Sequence, residues 1–286
     1  MFDGVHEGHR YIIEQAIQGA RECAGPSVII TFDRDPDEVF APARLKKLMT
    51  NEARLQALAA TGVDLLLVIP FTREFAAEEP EEFLESLFGK GVPAQLHVGI
   101  DFRFGVRATG TLGQLMEWGK PRGLRAFGHE LLAEGAAPVT ATRIRRLLAE
   151  GNIAEANRLL TRPYALEGTV VEGRQEGREF GFRTANLEVP AQLLAIGAGV
   201  YGAWAEVAGV PYRAAVAVGV APTFAEEATA NVEVHLIDFD EDIYGQPITV
   251  RFVEWLRPMK KFDSLEELKT TILANIAHVR DELPEL

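Results

Sequence analysis

The chain has 286 residues, 47% hydrophobic and 25% charged, with 26 Gly and 15 Pro, which excludes disordered, collagen-like and low-complexity classes. Two domains of roughly 100–200 residues each suit that length. Lys plus Arg number 29 against 42 Asp plus Glu, a formal charge of -13, which argues against general phosphate-backbone binding and leaves open a local pocket for a small phosphate compound. The single cysteine, Cys23, excludes an internal disulfide, a cysteine-based zinc site and an iron–sulfur cluster. It falls at the end of a helical pattern and is expected to be a buried or half-buried bystander. No apolar run approaches the ~18 residues of a membrane span, and no signal-peptide layout opens the chain, so a reducing cytoplasm is expected.

In chain order, Met1 to His6 form a turn entering a helix over Arg10–Ala24. Val28–Phe32 is a β-branched strand, Asn51–Thr61 a helix ended by Gly62, and Val63–Ile69 a second strand stopped by Pro70. Pro80–Lys90 is a helix with Pro at its start and Gly91 after its end, and Gln95–Gly99 and Leu124–Phe127 are further strands. Apolar strands alternating with helices predict a doubly wound α/β domain built on a parallel sheet. Such a sheet normally opens with a strand that delivers the chain to its first loop, and none precedes Met1 here. Either Met1 is a misassigned start or the opening strand has been lost.

The pattern changes after Arg162-Pro163-Tyr164. Leu166–Val171, Val200–Val207, Tyr212–Val220, Val232–Phe239 and Ile248–Leu256 are strand-like, separated by Gly, Pro or Asp clusters, which predicts an antiparallel barrel or sandwich. A last helix runs to about His278, with Ser264 as N-cap and Glu267 completing a capping box. The domains are therefore expected at 1–162 and 163–286.

Three strings in the first half suit phosphate chemistry. His6-Glu-Gly-His9 sits where a loop enters a helix, so both imidazoles can address one group while Gly8 permits close approach at a helix N-terminus. A capping role is the competing explanation. Gly99–Gly105 follows a strand and continues to Gly110, placing Asp101 and Arg103 at the C-terminal sheet edge where open α/β sheets bind ligands. Val139–Arg145 leads into a helix with Ile144, Leu147 and Leu148 on one face. Thr142 is its expected N-cap, and Thr140, Arg143 and Arg145 are within reach of a triphosphate, although a capped helix with solvated arginines would read the same.

In the second half, Gly173, Gly177 and Gly181 free the backbone for nucleotide contact. Thr184 and Asn186 offer two neutral oxygens, two residues apart, suited to a Mg²⁺ that takes its other ligands from water and phosphate. No Walker loop is present, and a Gly-rich hairpin is the competing explanation. Asn231–Asp238 alternates, putting Val232, Val234 and Leu236 on one face and Glu233 and His235 on the other. Glu233 is the candidate to accept a hydroxyl proton, and His235 reads as structural.

These strings resemble the bacterial bifunctional riboflavin kinase/FAD synthetases. The first half carries FDGVHEGH (Phe2–His9), TFDRDP (Thr31–Pro36), GIDFRFGVRATG (Gly99–Gly110) and VTATRIR (Val139–Arg145), like that family's adenylyltransferase domain. The second carries GTVVEGRQEGREFGFRTANL (Gly168–Leu187), GVY (Gly199–Tyr201), GVAPTF (Gly219–Phe224), EVHLIDFDEDIYG (Glu233–Gly245) and LRPMKKF (Leu256–Phe262), like its flavokinase barrel. The resemblance implies that His6, Gly8 and His9 hold ATP phosphates and that Asp101 serves the nucleotide and flavin side. It also implies that Thr142 and Arg145 grip the triphosphate, that Thr184 and Asn186 bind Mg-ATP, that Glu233 is the kinase base, and that Arg257 lies near the flavin. ATP, riboflavin and FMN are then the small-molecule partners and FAD the final product, with no nucleic acid or membrane involved.

The chain departs from the family pattern at Asp35 (a histidine there), Ala141 (a serine), Arg183 (a proline) and Met259 (a glutamate), and lacks the Gly-Asn before Phe2. Asp35, Ala141 and the absent strand predict weak FAD synthesis beside good FMN synthesis. The alternatives are accordingly a riboflavin kinase with an impaired adenylyl half, or a flavin- or nucleotide-binding regulator without turnover.

Overall fold

The structure, a computed structural model, describes residues 1–41, 46–134, 137–173, 182–219 and 231–285. Gly177, Gly181 and the Gly219–Phe224 motif from residue 220 onward lie outside the described residues. The chain divides into two compact units, Met1–Lys46 with Thr50–Ala141, and Lys47–Met49 with Thr142–Leu286.

The first unit runs α1 (Glu7–Glu22), β1 (Val28–Phe32), α2 (Pro36–Phe40), α3 (Asn51–Ala59), β2 (Leu65–Ile69), α4 (Pro80–Phe88) and β3 (Gln95–Gly99). A ribbon of β4 (Arg103–Phe104) and β5 (Gly110–Thr111) follows, then α5 (Leu112–Gly119), β6 (Arg125–His129), and a second ribbon of β7 (Ala133–Glu134) and β8 (Ala137–Pro138). The expected parallel pairing is present in two separate pairs. β1 runs beside β2 from Val28 opposite Leu65 to Phe32 opposite Ile69, and β3 runs beside β6 from Gln95 opposite Arg125 to Gly99 opposite His129.

Helix α3 lies within the first crossover and α5 within the second, as parallel neighbours require. Phe83, Leu84 and Phe88 of α4 form a core with Leu115 and Trp118 of α5, packed against Ile30 and Phe32 of β1 and Leu96 and Val98 of β3. Strand β2 is less covered than its apolar sequence suggests, because it ends its pair: Leu65 and Leu67 are 54% and 48% exposed. Cys23 is also exposed, contrary to expectation. It caps the C-terminus of α1, where its Sγ accepts from Gln95 and Arg125.

The second unit contains α6 (Ala141–Ala149, its first residue shared with the first unit), α7 (Ile153–Leu160), β9 (Tyr164–Val171), β10 (Ala185–Glu188), β11 (Gly199–Val207), β12 (Val210–Gly219), β13 (Asn231–Leu236), β14 (Pro247–Arg257) and α8 (Leu265–Glu282). The six strands close into an antiparallel barrel in the order β10-β13-β12-β11-β14-β9, which removes every sheet edge. Its interior is Leu166, Val170, Leu187, Ala203, Val216, Val234, Val250, Phe252 and similar residues, alternating with half-exposed neighbours. Asn157 of α7 pins that helix to the barrel, donating to the Phe252 carbonyl and accepting from the Tyr164 amide.

Two capping expectations are corrected. Helix α6 begins at Ala141, so Thr142 lies inside its first turn and Thr140 precedes it. The apolar trio Ile144, Leu147 and Leu148 is buried as expected, but it defines the helix face and not its start. At α8, Ser264 accepts from the Glu267 amide, while the Glu267 carboxylate turns to Lys260 and the Asp263 amide, leaving the box half made. The helix continues past His278 to Glu282, burying Ile276 and Val279 against Ile237.

Candidate active sites

In the first unit, His6 occupies the N-cap of α1 in extended conformation, and the next turn carries His9 directly over it. The two rings stack with centroids 3.7 Å apart and planes 17° from parallel, and Phe2 meets the edge of His9 at 5.2 Å. A Cβ at Gly8 would meet the His6 ring at 3.3 Å and the Val139 carbonyl at 3.5 Å, so glycine here makes room for the stack. Burial, and after it the neighbouring His6, hold His9 well below the ordinary histidine pKa, so His9 is a neutral hydrogen-bonding group at pH 7. Its Nδ1 is buried with no hydrogen-bond partner among the described residues.

The α-amino group of Met1 lies beside this pair. Burial lowers its pKa, while the charge of Asp35 raises it, that of Arg54 lowers it, and those of Asp3 and Asp101 raise it. Asp101 stands in the turn after β3, its carboxylate folded so close over Gly99 that a Cβ there would meet it at 2.8 Å. Arg103 is exposed and donates to the Phe102 carbonyl. Asp35 has a local role: it caps α2, accepting from the Asp37 amide at 3.0 Å while its own amide donates to Glu38 at 2.7 Å. Sequence reading noticed the changed charge at this position and missed the cap. Arg54, buried on α3, was missed altogether. Thr142 is exposed and Arg145 half-buried on α6 in the second unit, where Arg143 is engaged with Glu155 of α7 at 2.9 Å.

In the barrel, Asn186 of β10 stands directly opposite Glu233 of β13. Opposed residues of an antiparallel pair share a face, their Cβ atoms about 5 Å apart, so this register brings two of the expected groups together. Thr184, two residues before Asn186, lies on the same side. Thr184 and Asn186 line a cavity of about 280 Å³ together with Gly173, Phe182, Asp240 and Tyr244. From β13 it is Val234 and Leu236 that line this cavity; Glu233 stands across the β10–β13 pair from Asn186 and accepts from the Asn231 side chain at 2.8 Å. Gly173 has a sharper reason than backbone freedom: a Cβ there would fall 1.9 Å from the Asn186 amide nitrogen.

His235 supports the same loop, its Nδ1 donating to the Arg183 carbonyl at 2.7 Å, and the Arg183 side chain pairs with Asp240. Arg257 ends β14 half-buried, donating to Asn275 of α8 at 2.9 Å and to the Pro258 carbonyl, with Phe262 beneath its guanidinium. Lys260 lies 4.7 Å from the same ring. Among the described residues no three His, Cys, Asp or Glu side chains could together hold a metal ion. The hydroxyl and amide oxygens of Thr184 and Asn186 are hard neutral donors, which fits a Mg²⁺ that keeps phosphate and water as its remaining ligands.

Two stacked histidines at a helix N-terminus on a parallel α/β unit, and a hydroxyl and an amide lining a cavity of a closed barrel, suit an enzyme that handles phosphate compounds at two centres. Comparison with known proteins identifies which. The FAD synthetase family model matches residues 1–143 and the riboflavin kinase model residues 160–283. The bifunctional riboflavin kinase/FMN adenylyltransferase of Escherichia coli K12 is 36% identical, covering 99% of this chain and 88% of its own length. That of Listeria monocytogenes is 32% identical, covering 93% and 85%. A crystal structure titled as a macrolide-efflux protein from Streptococcus pneumoniae superposes with a TM-score of 0.87 at 30% identity, over 98% of this chain and 91% of that one. The chain belongs to the bifunctional riboflavin kinase/FMN adenylyltransferase family. Both halves match, so neither a kinase alone nor a non-catalytic binder is favoured.

Proposed function

We propose that the barrel makes FMN from riboflavin and ATP and that the first unit converts FMN to FAD with a second ATP, with functional domains at 1–162 and 163–286. The observation that carries the kinase assignment is Asn186 opposed to Glu233 beside the cavity of about 280 Å³. Glu233 accepts the proton of the riboflavin 5′-hydroxyl as its oxygen attacks the γ-phosphorus of ATP, and ADP leaves. Thr184 and Asn186 would hold a Mg²⁺, which when bound spreads the charge of the ATP phosphates. Arg257, steadied by Asn275 and stacked on Phe262, faces the flavin.

In adenylyl transfer an FMN phosphate oxygen bonds to the α-phosphorus of ATP as the bond to the bridging oxygen breaks and pyrophosphate leaves. Neutral His9 donates a hydrogen bond to charge growing on the phosphates, with His6 and Gly8 beside it at the helix N-terminus and Asp101 on the nucleotide and flavin side. Thr142 and Arg145 are assigned to the triphosphate on the Val139–Arg145 motif alone. The reading places the enzyme in the cytoplasm, the compartment that supplies ATP. Among the described residues no helix is long and apolar enough to cross a membrane.

The kinase site is tested at Gly173. Gly173→Ala must displace the Asn186 amide, so the Mg²⁺ concentration giving half-maximal FMN synthesis should rise about 10–100-fold, the range seen when a group supporting a metal ligand is lost. Asn186→Ala should match it, and FAD synthesis from supplied FMN should be unchanged in both. An unchanged Mg²⁺ requirement in both variants would remove Asn186 from the metal site.

A further inference from the structure

Arg54 is 1% exposed, the largest side chain so completely buried among the described residues. It projects from the first turn of α3 to the C-terminal end of β1. There its Nη1 donates to the Thr31 hydroxyl at 2.6 Å, and its Nη2 donates to the Phe32 carbonyl at 2.7 Å and more distantly to the Asp33 carbonyl and the Asn51 side chain, both 3.4 Å away. Its Nε is buried with no hydrogen-bond partner among the described residues. Burial draws its pKa down, while the negative charges of Asp35, Asp3, Glu38 and Asp33 oppose that.

Three features separate this from an ordinary buried arginine. First, a cation taken out of water is costly unless paired and hydrogen-bonded, so its retention here calls for a reason beyond packing. Second, two of its hydrogen bonds go to backbone carbonyls where β1 stops being a strand, so it sets the path of the Thr31–Pro36 segment as it leaves the sheet. A fork of fixed N–H donors suits that task better than an ammonium. Third, α3, the helix that carries Arg54, packs against the Asp3–Val5 turn whose next residue is His6, so the guanidinium sits in the wall beside the histidine stack. The loop it holds leads directly into Asp35, which caps α2.

We propose that Arg54 is a positioning residue for adenylyl transfer: it locks the Thr31–Pro36 loop, and with it Asp35, against the His6–His9 phosphate site. This rests on the reading that the first unit is the adenylyl site. Arg54 touches no substrate. It acts by holding the loop in one place, and misplacement of about 1 Å at a reacting centre can cost about 100-fold. Its loss should therefore appear in kcat more than in KM.

The test measures FAD formation from FMN and Mg-ATP, and FMN formation from riboflavin, on the full chain with Arg54→Lys, Arg54→Met and Thr31→Val. Arg54→Met should lower kcat for FAD synthesis about 30–100-fold with the KM for FMN and for ATP within about threefold. Arg54→Lys keeps the charge and one donor direction and should recover part of that loss. Thr31→Val keeps the loop's shape but removes one anchor, and should lower kcat about three- to tenfold. FMN synthesis by the barrel should be unchanged throughout.

If the Arg54 variants fail to fold, as seen by loss of the first unit's thermal transition, Thr31→Val decides: a lowered kcat supports the proposal and an unchanged one overturns it. Full FAD synthesis by a folded Arg54→Met chain, or a rise in KM with kcat intact, also overturns it. A His9→Ala control separates this from failure of the underlying reading. If His9→Ala makes FAD normally, the site itself is misassigned; if it does not, while the Arg54 and Thr31 variants do, only the role of Arg54 falls.

Discussion

Replacing Glu233 by Gln is expected to lower FMN formation from riboflavin and ATP by about 10²–10⁴, the usual weight of a general base. The amide is close in size to the carboxylate and can still accept from the Asn231 side chain, so the β13 strand and its opposition to Asn186 should persist. Riboflavin affinity should change by less than about threefold, because the loss falls on proton removal in the transition state and not on ground-state binding. FAD synthesis from supplied FMN should be untouched, which guards against a general loss of folding. Near-normal FMN production by this variant would remove Glu233 from the chemistry, leaving positioning by Thr184 and Asn186 to account for catalysis.

The strand face that carries Glu233 was legible in the sequence for a physical reason. Strand alternation is a period of two, so the faces of Glu233 and Val234 could be read directly, and their exposure follows that reading. What could not be read is the partner strand. Ala185–Glu188 is only four residues long and follows a glycine-rich stretch, so nothing in its own pattern marks it as the strand that sets Asn186 against Glu233. Helices α5 and α7 were missed for a related reason: at eight residues each they show barely two turns of periodicity. Both still carry a start signal, Thr111 with Gln114 and Asn152 with the Glu155 amide, which a search for caps could have found. Arg54 left no local trace, because a buried arginine and a solvated one have the same letter and only tertiary structure brings Thr31 and Phe32 to it. Gly173 shows the converse. Its role was read as backbone freedom, but the space it leaves is filled by a side chain thirteen positions away.

In the first unit the largest effect is expected at His9. His9→Ala should lower FAD formation from FMN by about 10²–10³, the range for removing a single hydrogen-bond donor aimed at developing negative charge, while FMN synthesis from riboflavin continues. The same residue predicts how the unit responds to acid. The folded state holds His9 well below the unfolded histidine value of about 6.5, and burial lowers His97 and His129 as well, whose ring nitrogens lie 2.9 Å apart. Below pH 6.5 the unfolded chain takes up protons at these three positions that the folded chain resists. Stability therefore rises with pH through this window and falls as pH drops from about 6.5 toward the lowered folded-state values. The thermal transition of the first unit should thus move down between pH 7.5 and pH 5.5, and FAD synthesis should fail at a higher pH than FMN synthesis. His97→Gln, which keeps a polar contact without a titrating ring, should reduce that downward shift. A transition that holds steady or climbs on acidification would mean that these histidines carry protons in the folded protein, and that His9 meets the phosphates as a cation.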